Sequence, residues 1–282
     1  MTSKKNLLNS AQMAEFASLG VLRFDELAPD ELNEAAHREM ADQPGKPLRP
    51  PAGTPLEDCF HAPSAIGEII RLPQVQGIIE SLVGPGPLYD HHAFHSRRPG
   101  DVVAQAIHGD AIIDTRMHFD LQLLYFPHDV PTEMGGTLLL PGSHFRRINE
   151  SDIGRYQNFK GQIKMDGNAG TIFALHHGIW HGARRNETDR TRYMFKLRLN
   201  PTVRQLRLWN TDDIDQEGEQ GEAARAEVDN ILGKQQPWFE HADGRLEIVN
   251  RIKFWRFLTG NDSFDVHYWL TRIENTPEKV VA

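Results

Sequence analysis

One cysteine, Cys59, is all the thiol that this chain of 282 residues carries. No internal disulfide can brace it, so the fold must rest on a packed core, as in cytosolic proteins. No run of about 18 apolar residues occurs, which excludes a helix across a bilayer. The opening residues lack the apolar stretch of a secretory signal. A basic surplus is missing too: the formal net charge is −8 and the pI is near 5.9. Nothing is left over to neutralise phosphates, so nucleic acid is not an expected partner. What remains is a soluble, cytoplasmic protein with 39% hydrophobic and 25% charged residues. That is enough for one large domain, a monomer or a homodimer.

The pattern divides into three stretches of a single domain over residues 1–282. Residues 1–86 read as a helical buttress. Ser10 opens a capped helix, a short apolar strand follows at 20–24, and Pro29 starts a second helix with acids in its first turn. A proline-rich loop covers 46–56, and a helix over 65–83 meets a break at Pro73. Residues 87–200 change to period two, with extended segments at 88–96, 102–108, 119–126, 137–140, 170–175 and 192–199. Gly, Pro and Asp separate them, as in an all-β sandwich. Strands in this number between helices predict a double-stranded β-helix, a cupin-like jelly roll. Residues 201–282 return to helix, polar over 217–232 and apolar at three-to-four spacing over 246–258, the latter a stripe for core packing.

Chemistry enters with His-x-Asp, which occurs as His108-Gly109-Asp110 and again as His118-Phe119-Asp120. On a strand, residues i and i+2 point to one side. Two histidines and one carboxylate can therefore fill one face of an octahedral iron(II) site and leave the other face open. With 14 histidines in the chain, either tripeptide alone is weak. The first closes the extended segment 102–108, and its glycine permits a sharp exit. The second begins a strand that runs on into a loop. A distal histidine is also needed, and His176, His177 and His181 all lie near the end of the strand over 170–175.

These pieces resemble the phytanoyl-CoA dioxygenase family of iron(II)- and 2-oxoglutarate-dependent oxygenases. The likeness rests on His108-Gly109-Asp110, on EMGGTLLLPGSH at 133–144, on WHGARRNET at 180–188 and on Arg192, and it covers residues from about 88 to 200. The family's spacing from His-x-Asp to the glycine pair fits His108, which lies 28 positions before Gly136; His118 lies only 18 before it. Of the distal candidates, only His181 is followed by the family's asparagine, threonine and arginine, here Asn186, Thr188 and Arg192. The resemblance thus implies His108, Asp110 and His181 as metal ligands and catalytic centre, with His118 and Asp120 as the rival pair.

It also implies Arg192 as the anchor for the distal carboxylate of 2-oxoglutarate, a task suited to a planar guanidinium. Thr188, Gln122 and Tyr125 are further co-substrate candidates. A serine common in the family two residues after the distal histidine is replaced by Ala183. Residues 141–144 read as a turn, with His144 capping local backbone. The implied cofactors are Fe(II), 2-oxoglutarate and O2, and the implied reaction is hydroxylation of a small-molecule metabolite with release of succinate and CO2. Relatives that halogenate carry a small residue where Asp110 stands. The alternatives are a cupin-like metal enzyme that does without 2-oxoglutarate and a non-catalytic jelly-roll binding module. Arg97, Arg98, Arg116 and His118 are candidates to meet an acidic group at the entrance.

Overall fold

The computed structural model describes residues 2–43, 49–101, 103–110, 117–146, 158–237 and 241–266. Val102, Arg116 and residues 267–282 thus lie outside the described residues. Helix α1 (Ser10–Leu19) is capped one residue earlier than expected. Asn9 accepts from the Gln12 amide at 2.8 Å and Gln12 returns the bond, while Ser10 instead binds Asp213 at 2.6 Å. Gly20 ends the helix with φ at 72° and releases the chain directly into β1 (Val21–Phe24). Helix α2 (Asp30–Asp42) follows Pro29, with Asp30 and Glu31 in its first turn. The expected single helix over 65–83 is two, α3 (Ala65–Ile70) and α4 (Pro73–Val83), and the proline opens the second.

Five strands form one antiparallel sheet in the order β1, β6 (Ile172–His176), β3 (Leu121–Tyr125), β8 (Arg192–Asn200), β2 (Leu88–Arg97). A second sheet places β4 (Leu138–Leu140) between β5 (Ile163–Lys164) and β7 (Trp180–Gly182). Strands β5 and β7 were not anticipated, since at two and three residues they are too short to show a period. The expected segment 102–108 makes no regular strand within its described part, yet His108 bridges His181 at the free edge of β7. This is the jelly-roll core with flanking helices that the alternation predicts.

The period of two assigns each side chain its layer. Leu121, Leu123, Tyr125, Phe195, Leu197 and Leu199 face outward and join Phe16, Ile78, Leu82 and Trp255 in the main core. Leu124, Phe173, Leu175 and Met194 face inward and pack with Leu139, Met165 and Ile179 between the sheets. Downstream, α5 (Asp212–Asp215) and α6 (Glu219–Gly233) lead to α7 (His241–Thr259). The apolar stripe of α7 is core: Ile252, Phe254, Trp255 and Leu258 are almost wholly buried.

Two predictions follow from this packing. The Tyr125 hydroxyl donates to Asn33 Oδ1 at 2.7 Å within the core. Tyr125→Phe leaves that oxygen buried and unsatisfied, so it should cost about 1–3 kcal/mol in denaturant unfolding; an unchanged midpoint would refute the assignment. Burial also pushes His92 down to about 4 and His144 down to about 3 from an ordinary 6.5. The unfolded chain takes up protons near 6.5 while the folded one does not, so stability must fall as pH drops below 6.5. The slope approaches about 1.4 kcal/mol per pH unit for each histidine. A stability flat between pH 7 and 5 would contradict it.

Candidate metal centre

Two backbone hydrogen bonds join His108 to His181: His108 N–H donates to the His181 carbonyl at 2.9 Å and the return bond is 2.8 Å. A further bond runs from the Gln105 amide to the Ala183 carbonyl at 2.7 Å. The pairing brings the two rings to a centroid separation of 4.4 Å. Two residues beyond His108, Asp110 meets both. Its Oδ1 lies 3.7 Å from His108 Nε2 and its Oδ2 4.0 Å from His181 Nε2. Ligand atoms of the three residues fall within 4.8 Å of one another, the one such group among the described residues.

The tautomers suit a cation. His108 Nδ1 sits 2.9 Å from the Ala106 carbonyl and His181 Nδ1 3.0 Å from the Ile179 carbonyl. A carbonyl can only accept, so each Nδ1 carries the proton and each Nε2 presents a lone pair. Burial pushes His181 down to about 4, so it is neutral at physiological pH. Burial works against ionised Asp110, yet His181, Lys196 and hydrogen bonds from Lys196 and Gln122 hold its carboxyl well below the usual carboxylate range. With His181 neutral, Lys196 at 3.0 Å and Gln122 at 2.8 Å are the partners that persist.

The rival pair is placed elsewhere. The His118 ring packs edge-on against Phe257 at 5.3 Å, and Asp120 is bound by Arg198 at 2.5 Å. His176 Nδ1 accepts from the Gly178 amide and His177 Nδ1 from the Asp120 amide, both at 3.0 Å. These two histidines serve the backbone.

A cavity of about 260 Å³ opens beside the triad, lined by His95, Arg97, Gln105, Gln122, Thr137, Arg192 and Lys196 together with His108 and His181. Arg192 lies at its buried side, 1% exposed. Its Nη1 donates to the Gly135 carbonyl, and its Nε has no partner among the described residues. Burial and nearby Arg97 lower it to about 10, which leaves it charged at neutral pH. The glycine pair makes this possible. A Cβ on Gly135 would stand 1.8 Å from the Arg185 carbonyl oxygen, and one on Gly136 1.9 Å from that of Met165. Gly135 also holds φ at 77°, which favours glycine.

Two co-substrate candidates are not brought to this cavity. Tyr125 stands on the outward face of β3, bonded to Asn33, because odd positions of that strand face the helices. Thr188 is tied by its hydroxyl to Asn186 Oδ1 at 2.7 Å in a surface loop. Gln122 does point inward, but its amide is spent on Asp110. Lys196 was missed, although it lies four residues beyond Arg192 on one strand face and the period alone would have found it. The 141–144 segment is a clamp: Ser143 Oγ accepts from the Trp180 amide at 2.8 Å, and His144 Nε2 donates to the Ala17 carbonyl at 3.2 Å. It fixes β7, and so His181, against α1.

Comparison with known proteins agrees with this architecture. A family profile described as Phytanoyl-CoA dioxygenase matches residues 31–194. Among solved structures, HygX from Streptomyces hygroscopicus with nickel and 2-oxoglutarate bound aligns with a TM-score of 0.54 at 16% identity, over 76% of this chain and 96% of its own. The non-heme alpha ketoglutarate dependent carbocyclase SnoK from nogalamycin biosynthesis gives 0.53 at 16% identity, over 78% and 98%. EctD from S. alaskensis, solved with 2-oxoglutarate and 5-hydroxyectoine, gives 0.52 at 16%, over 68% and 76%. At these identities the likeness is one of fold. No curated protein sequence matches the chain.

The geometry predicts how metal binding responds to substitution. Calorimetric titration of metal-free protein with Ni(II) or Mn(II) should show binding abolished by His108→Ala and His181→Ala. His118→Ala should bind as the parent does. Retained binding in His108→Ala would transfer the site elsewhere.

Proposed function

The chain belongs to the phytanoyl-CoA dioxygenase family, and on that premise we propose that it is an iron(II)- and 2-oxoglutarate-dependent oxygenase that hydroxylates a small-molecule metabolite. The observation that carries this reading is the conjunction of a His108, Asp110 and His181 triad with a buried arginine that no carboxylate among the described residues pairs, in one cavity. The donor set fits the metal: two imidazole lone pairs and one ionised carboxylate suit iron(II) and leave coordination positions open. When bound, iron would supply the centre at which O2 and the keto acid react, giving succinate, CO2 and an oxidised substrate.

The protein's own part is placement. His108 and His181 are held by their Nδ1–H bonds, so neither ring needs to reorient to receive a metal. Arg192 can accept the distal carboxylate of 2-oxoglutarate through its free Nε–H and the rest of its fork. Arg97, its partner in register on the neighbouring strand, adds a second positive charge, and no carboxylate pairs with either among the described residues. Two like charges set directly across a sheet are unfavourable unless an anion lies between them. A dianionic keto acid answers that need.

Asp110 supports oxygenation over halide transfer, since the carboxylate occupies the position a halide would need. Ring closure uses the same ligand set, and the fold is shared with a carbocyclase. Product analysis therefore decides the outcome on the substrate, whose identity is fixed by groups other than the triad.

Protein given iron(II), ascorbate and O2 should convert 2-oxoglutarate to succinate, and Arg192→Ala should raise the KM for 2-oxoglutarate. Loss of two charge-assisted hydrogen bonds, about 1.5 kcal/mol each, corresponds to roughly 100-fold. Iron-dependent binding of 2-oxoglutarate is the companion measurement. Absence of both turnover and binding would remove this reading.

A further inference from the structure

Two donors converge on one oxygen of Asp110 and leave the other bare. Gln122 Nε2 lies 2.8 Å and Lys196 Nζ 3.0 Å from the same Oδ2. No hydrogen bond reaches Oδ1 among the described residues, and its nearest basic neighbour is His108 Nε2 at 3.7 Å. Since a carboxylate only accepts, the Gln122 amide must present its nitrogen to Asp110. Both donors stand on the rigid sheet. Gln122 is 1% exposed on β3, between Leu121 and Leu123, which anchor the strand in the main core. Lys196 lies between Phe195 and Leu197 on β8, anchored the same way. In register Gln122 faces Arg198 and Leu124 faces Lys196, so the two donors are diagonal neighbours on the inward face. A carboxylate above that diagonal is within reach of both long side chains.

We propose that Gln122 and Lys196 are positioning residues that hold Asp110 as a one-oxygen metal ligand. The inference rests on the metal-centre reading above and deepens it. An octahedral ion has six positions; three protein atoms, one of them from Asp110, leave three, two for a chelating keto acid and one for O2. Donors fixed on Oδ2 leave Oδ1 for the metal, and they oppose rotation of a side chain that β-sheet pairing does not otherwise constrain. Gln122 is thereby assigned to the metal ligand rather than to the co-substrate.

The test separates metal affinity from co-substrate affinity. Metal-free protein is titrated with Mn(II), and 2-oxoglutarate is then titrated at saturating Mn(II). Gln122→Leu, which keeps the volume and removes the donor, should weaken Mn(II) roughly tenfold or more, as loss of partners to a metal ligand does. Gln122→Asn, polar but one methylene shorter, should lose as much and guards against misfolding. Affinity for 2-oxoglutarate at saturating metal should be unchanged. Lys196→Met should also weaken Mn(II); mere removal of a cation beside the metal would tighten it, and that result overturns the role of Lys196. Unchanged Mn(II) affinity with weaker 2-oxoglutarate in the Gln122 variants overturns the proposal and returns Gln122 to the co-substrate. If the parent binds Mn(II) but not 2-oxoglutarate, the oxygenase reading fails while the Mn(II) comparison still decides the positioning role.

Discussion

His108 and His181 are separated by most of the jelly roll in sequence, and a reciprocal pair of backbone hydrogen bonds, 2.9 and 2.8 Å long, makes them neighbours. The rest of the site depends on that bridge. It fixes the separation of the two imidazoles, and it is made by backbone groups that no side-chain substitution removes. The bridge stands at the edge of β7, which pairs with β4 through Leu139 opposite His181. Ser143 and His144 then tie this small sheet to α1. A three-residue strand would not hold its place unaided; the turn after β4 supplies what its length cannot.

The larger sheet does two jobs through one alternation. On β8, Phe195, Leu197 and Leu199 bind the helical layer, while Arg192, Lys196 and Arg198 line the interior. The helices matter to the chemistry for that reason. They bury the outward residues and so fix the face from which the inward ones project. Polar side chains inside a barrel are costly unless paired; Gln122 and Lys196 pair with Asp110, and Arg198 with Asp120 and Asp90.

How much of this was readable depended on the reach of each signal. Alternation in β2, β3, β6 and β8 shows the strands, and Pro73 marks the junction of α3 and α4. Period two also tells Gln122, inward, from Leu121, Leu123 and Tyr125, outward, so the alternation itself parts Tyr125 from the cavity. Strands β5 and β7 carry no pattern because a few residues span no period. His108 and His118 are equivalent as tripeptides; the spacing to Gly136 in the family pattern favours His108, and the physical cause is its pairing with β7, a contact across the fold. Lys196 was legible in principle from its spacing to Arg192. Its bond to Asp110 was not, since that depends on where the segment after His108 lies against β3 and β8.

The interior cations form a graded series that argues for what the cavity is shaped to receive. Arg198 has Asp120 at 2.5 Å and Asp90 at 3.5 Å. Lys196 has Asp110 at 3.0 Å. Arg192, the most deeply buried of the three, has a backbone carbonyl and no carboxylate among the described residues. Burying an unpaired guanidinium is expensive, and Arg97 across the ladder adds repulsion. Structural need does not explain it, because a neutral side chain would fill the same space at lower cost. On the function proposed above, the cost is recovered when an anion enters, with the triad in the same cavity to hold its second end. A small dicarboxylate with one end for a metal and one for Arg192 meets both conditions.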